Sequence, residues 1–218
     1  MQQLIGRKGR TREWVDTPPD LLVAGVSDGI LCPQFRRASA DSRVVRYFGL
    51  LDVDADLEAV QAGRAPLVKD GAVRQFASRK SMYTELWQHL GAVAGTGTLR
   101  QLLESVPAVW AACEAARDVA AELTAAQVPA VAYFSGKKGA RVLFRNDDCF
   151  VSVRDEERYG DVIFEKLLPD FMRRHQIASF DRLRALVDAA VYRPKSGIRA
   201  DVHRRGRLFP APLIDGPD

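Results

Sequence analysis

The apolar run YFGLLDVDAD, residues 47–56, carries three acids at alternate positions, Asp52, Asp54 and Asp56. Side chains two residues apart on a strand share a face and lie about 6.5–7 Å apart along it. Asp52 and Asp54 therefore project together. Ionised carboxylates facing one site repel each other, and burial sharpens that cost unless a cation neutralises them. Magnesium and manganese, hard divalent ions that take oxygen ligands, suit such a pair. A solvent-facing strand kept soluble by its acids is the non-chemical alternative for a DxD alone. Asp56 reads as a turn or helix-cap residue, because DLEAVQAG after it has helical character.

A second cluster is FSGKKGARVLF, residues 134–144. Gly136 and Gly139 let backbone N–H groups approach an anion, Ser135 offers a hydroxyl, and Lys137, Lys138 and Arg141 supply positive charge. Such a turn can receive phosphate, although it lacks the GxxxxGK[ST] spacing of a Walker loop. An ordinary basic hairpin turn is the plainer alternative. The third cluster is IRADVHRRGRLFPAP, residues 198–212, where Asp201 lies among arginines; an acid in that setting is commonly a surface ion pair. His203, two residues further on, reads as structural or solvent-facing.

The elements that must position these clusters form a mixed pattern. RVVRYFGLLDVDAD is bulky and β-branched and predicts a strand. Met82, Leu86 and Leu90 recur at helical spacing, Thr98 caps a further helix with Leu99, Leu102, Leu103 and Val106 on one face, and Pro107 starts a helix to about Gln127. The pattern then changes period. VPAVAYF and RVLF predict a hairpin around SGKKGA, and CFVSV a further strand. VIFEKLLPDFMRR and SFDRLRALVDAAV predict helices, the second with Ser179 as N-cap. Short strand-like pieces, IRADVH and RLF, follow in the tail. Residues 1–42 read as an irregular lead-in packed on the core, with LLVAGV as its one strand candidate, and residues 43–218 as the core itself.

Composition sets the outer bounds. With 218 residues, 47% hydrophobic and 28% charged, the chain falls in the globular class and far from the disordered one. Its net charge of +4 is concentrated in Arg7, Lys8, Arg10 and Arg12 near the start and in Arg193, Lys195, Arg199, Arg204, Arg205 and Arg207 near the end. Basic arms of this kind favour polyanions or simply solvate a terminus. Cys32, Cys113 and Cys149 are far apart with no histidine at ligand spacing, so no zinc site is expected, and free thiols suit a reducing, intracellular compartment. No secretory leader and no membrane span is expected.

Taken in order, a DxD strand, an SGKKGAR strand-to-strand turn and a late acid before an Arg-rich strand resemble the archaeo-eukaryotic primase superfamily. That group includes primase small catalytic subunits, primase-polymerases and the polymerase domain of end-joining ligases. The resemblance spans residues 44–212, with FGLLDVDAD, SGKKGAR and DVHRRGRLFP as its three motifs. It departs from the family in placing Arg141 where a histidine is usual; the planar guanidinium fork still suits phosphate. The third motif is also more compact than in the family.

The resemblance implies an α+β fold, a mixed or antiparallel sheet of primase type with flanking helices. It implies two magnesium or manganese ions on Asp52, Asp54 and Asp201, with a usual separation of about 3.5–4 Å. It assigns the triphosphate to Ser135, Gly136, Lys137, Lys138, Gly139, Arg141 and Arg207. The implied partners are nucleoside triphosphates, a single-stranded or primed DNA template, and a helicase or accessory priming domain. The implied activity is template-directed nucleotidyl transfer, as DNA primase or primase-polymerase. The alternatives are an end-joining polymerase domain, a primase-like nucleic-acid-binding module without turnover, and a glycosyltransferase that uses its DxD to hold manganese.

Overall fold

The computed structural model describes residues 2–7, 13–16, 29–36, 43–93, 98–154, 159–193, 198–199 and 211–213. Its architecture is α+β, with two small antiparallel sheets and flanking helices. The first sheet contains β1 (Gln2–Arg7), β2 (Glu13–Asp16), β3 (Gly29–Arg36) and β4 (Arg43–Tyr47). The stretch read as an irregular lead-in thus carries three strands, in the order β2-β1-β3, with β4 beside β3. LLVAGV lies outside the described residues.

The single strand predicted over residues 43–56 is two strands in different sheets, the second ending at Asp54. β4 ends at Tyr47 and β5 (Leu50–Asp54) begins three residues later in the second sheet. Gly49 explains the break. A methyl group there would lie 2.3 Å from the Tyr47 hydroxyl and 2.4 Å from the Phe144 carbonyl oxygen, so only glycine lets the chain cross here.

After β5, Asp56 caps the short helix α1 (Leu57–Gln61), its carboxylate accepting from the Ala59 N–H at 3.0 Å, as the sequence led us to expect. Helix α2 (Arg79–Val93) buries Met82, Leu86 and Leu90 along one side. Thr98 and Gln101 form a reciprocal capping box at the start of α3 (Leu99–Glu104). Helix α4 (Pro107–Ala125) starts at its proline and buries Val109, Ala112, Cys113, Ala116, Val119, Ala120 and Leu123. That stripe packs on the hairpin β6 (Ala130–Phe134) and β7 (Gly139–Phe144), which forms the centre of the second sheet.

Strand β8 (Phe150–Arg154) returns the chain to the first sheet beside β4. The next helical stretch runs through α5 (Gly160–Val162), a π-helical turn at Ile163–Leu167 and α6 (Leu168–Arg174). Pro169 has no N–H for the usual i→i−4 ladder, and the π turn lies just ahead of it. Phe171 from α6 stacks on Phe144 and meets Phe48 edge-on, joining helix to sheet.

The helix expected over residues 179–191 is much shorter. Only α7 (Phe180–Arg184) forms, with Ser179 at the N-cap position but making no capping bond, and a 3-10 turn follows at Ala189–Tyr192. β9 (Ile198–Arg199) pairs with β3, and β10 (Ala211–Pro212) pairs with β6, giving the second sheet the order β10-β6-β7-β5. Among the described residues, no helix is long and apolar enough to cross a membrane.

Candidate functional site

Strand β5 turns Leu51 and Val53 into the core and leaves Asp52 and Asp54 on the other face, the alternation that the DxD reading requires. Its neighbour is β7, and the register sets Asp52 opposite Arg141 and Asp54 opposite Gly139. Two clusters more than eighty residues apart in sequence are therefore adjacent rungs of one antiparallel ladder. Arg141 donates through Nε to Asp52 Oδ1 at 3.2 Å, and Lys138 forms an ion pair with Asp54.

The electrostatics follow from burial. Asp52 is held above its ordinary pKa, first by burial and then by the neighbouring charges of Asp54 and Asp188, with Arg141 pulling the other way. Burial also works against the Arg141 guanidinium. The facing Asp52 and Tyr133 together more than offset this, and Arg141 stays above its usual value. Arg141 is 2% exposed, and its guanidinium carbon lies 6.0 Å from the centre of the Tyr133 ring. An arginine so deeply enclosed acts first as the countercharge of Asp52.

Three residues assigned to an anion have structural work of their own. The Ser135 hydroxyl and its N–H both donate to the Gly139 carbonyl, each at 2.9 Å, so Ser135 closes the hairpin. Gly139 leaves room for β5: a methyl group there would lie 1.9 Å from the Val53 carbonyl oxygen. Gly136 has φ +76°, where glycine is at little disadvantage. Gly139→Ala is therefore expected to lower stability by about 1–3 kcal/mol, the scale of forcing an extra carbon into packed structure. Thermal unfolding measures it, and an unchanged midpoint would show that β5 and β7 can separate at no cost.

A residue that sequence reasoning passed over joins this group. β5 is the edge of its sheet, and the segment after α7 covers it. The Asp54 N–H donates to the Leu186 carbonyl and the Asp188 N–H to the Asp52 carbonyl, both at 2.8 Å, around a Val53–Val187 bridge. An exposed edge needs such partners. This pairing competes with continuation of α7, and it carries Asp188 to the acid pair. Asp188 also accepts from the Ala190 N–H at 2.9 Å. Its only sequence signal was the β-branched Val187 before it, hidden in a stretch that read as helix.

Asp54, Asp56, Glu58 and Asp188 line one pocket of about 570 Å³, with Arg79, Tyr83 and Lys138 on its other walls. Four acids against two bases give it a negative lining of hard oxygen donors. That donor chemistry fits a divalent cation of the magnesium or manganese type. Among the described residues, no group of three or more His, Cys, Asp or Glu is close enough to hold a metal ion, and Asp52 is outside the pocket lining, so the fit rests on the donor type of the Asp52–Asp54 pair with Asp188 beside it. Asp201, Arg207 and His203 lie outside the described residues. No known protein family, curated protein or solved structure matches the chain.

Proposed function

We propose that the chain is a template-directed nucleotidyltransferase of the primase or primase-polymerase kind. The observation that carries this reading is the ladder between β5 and β7, which pairs the DxD acids with the basic SGKKGAR turn residue by residue. Metal-dependent nucleotidyl transfer needs acids for divalent cations beside groups that hold a polyphosphate, and the β5–β7 register sets the two clusters side by side.

In this reading Asp52 and Asp54 would hold magnesium or manganese, with Asp201 as third acid or with Asp188 drawn closer than it stands here. The ions supply Lewis-acid activation of a hydroxyl nucleophile and charge neutralisation on the leaving pyrophosphate. The chain's own residues do the rest. Lys138, now paired with Asp54, turns to the triphosphate when cation and nucleotide arrive together, and Lys137 lies on the same turn to meet it. Arg141 opposes the upward shift that burial imposes on Asp52 and fixes its direction. Positioning and charge account for the work, and no side-chain nucleophile is required. A DNA template would follow the basic surfaces through phosphate contacts, with little sequence preference.

The test is incubation with single-stranded template, magnesium or manganese, and each nucleotide type, with and without a primer. Labelled products on a gel support the reading, and their absence in every combination overturns it. A second reading, a nucleic-acid-binding module without turnover, is favoured by one specific observation: Lys138 and Arg141 already neutralise the two acids. Template binding with no product under any metal would select it.

A further inference from the structure

One surface beside the lysine turn has no part in the scheme above. Helix α2 sends Met82, Leu86 and Leu90 into the core, and one residue on from the first two, Tyr83 and Trp87 stand partly exposed one helical turn apart. The Lys137 ammonium lies 5.2 Å from the centre of the Tyr83 ring and 5.4 Å from that of Trp87. A cation over both rings shows that their faces meet the mouth of the turn, where an electron-rich surface is available. Tyr83 also lines the pocket that holds Asp54, Lys138 and Asp188, so the pair of rings adjoins that cavity through Tyr83. At about 570 Å³ the cavity has the size of a small-molecule site, which runs to about 300–1,000 Å³.

Adjacent aromatic faces next to a phosphate-binding turn suit one ligand chemistry, a flat heterocycle bearing phosphates. We propose that Tyr83 and Trp87 form a stacking shelf for a nucleobase whose phosphates are received by Lys137 and Lys138. The inference rests on the nucleotidyl-transfer reading and names its base subsite. Lys137 leaves the rings as the phosphates bind, and the base takes its place. Base–aromatic stacking tolerates any base, because every base has a π face. The base can come from a free nucleoside triphosphate or from a single strand.

The test uses dATP, inorganic triphosphate and a deoxyadenosine oligonucleotide, each titrated with magnesium and without template. In the parent protein dATP should quench Trp87 fluorescence, whereas inorganic triphosphate, which has no base, should bind without quenching. Trp87→Leu should weaken binding of the base-bearing ligand about 10-fold, within the range for loss of one stacked base, and leave inorganic triphosphate unchanged. Trp87→Phe should retain affinity and lose the quench, and Tyr83→Leu repeats the test on a separate side chain. Loss for dATP assigns the shelf to the incoming nucleotide; loss for the oligonucleotide assigns it to the strand.

Equal affinities of the parent and both leucine variants for dATP and the oligonucleotide overturn the shelf. In that case, inorganic triphosphate binding that is lost in Lys138→Ala leaves the phosphate turn, and the nucleotidyl-transfer reading, standing. A parent protein that binds none of the three ligands overturns both.

Discussion

Asp54→Asn is expected to abolish template-directed incorporation, lowering its rate by at least about 10²–10³-fold, the scale of removing one preorganised charge from a reacting centre. The substitution is nearly isosteric. Its amide oxygen still accepts from Lys138, its backbone N–H still donates to the Leu186 carbonyl, and its side chain is 32% exposed, so the fold has no reason to change. The loss therefore reports the negative charge. Asp56→Ala is the matched control. Asp56 is part of the same acidic run, but its carboxylate caps α1. Removing it should cost about 1 kcal/mol of stability and lower incorporation far less than Asp54→Asn does. Asp188→Asn and Asp201→Asn then decide which acid completes the set, since asparagine at 188 keeps the acceptor for the Ala190 N–H. Primer extension followed on a gel measures all four. Parental activity in Asp54→Asn would remove the DxD from the chemistry.

The parts of this site that could be read from sequence are those where one periodicity acts alone. Leu51 and Val53 alternate with Asp52 and Asp54, and nothing else competes for that face. Met82, Leu86 and Leu90 on α2, and the stripe from Val109 to Leu123 on α4, are similarly unambiguous at helical spacing. The hairpin over residues 130–144 was legible because two apolar runs flank a glycine turn. The misreadings arise where a distant partner decides. Gly49 ends β4 because Tyr47 and Phe144 crowd it, and Phase-two alternation carries no trace of Phe144. Residues 185–191 keep the composition of a helix, yet the open edge of β5 draws Leu186 and Asp188 into backbone bonds. Gly139 looked like a residue chosen for a phosphate, and its nearest constraint is the Val53 carbonyl on the next strand. The expectations for Asp201 and Arg207 fall outside the described residues.

Arg141→Met should destabilise the protein by about 3–5 kcal/mol, the cost of removing one member of a buried ion pair and leaving the other without its countercharge. The lower end applies, since the Arg141 side chain is 3% exposed and that of Asp52 is 26% exposed. Burial already raises the Asp52 pKa, and Arg141 is the main influence opposing it. Without Arg141 the Asp52 pKa moves further up. Between the unfolded value and this raised folded value, the native state then binds more protons than the unfolded state, so stability falls as pH rises through that window. Urea unfolding across a pH series should show Arg141→Met losing stability toward neutral pH more steeply than the parent. Asp52→Leu/Arg141→Met removes both charges and should recover most of the loss, because no uncompensated ion remains in the sheet. Incorporation stays absent in the double variant, which lacks a DxD acid. Recovery of folding without recovery of activity separates the two roles of the pair, one holding β5 against β7 and the other presenting Asp52 to a cation. A parental unfolding midpoint for Arg141→Met at neutral pH would mean that Asp52 needs no countercharge, and Arg141 would then lose its structural role.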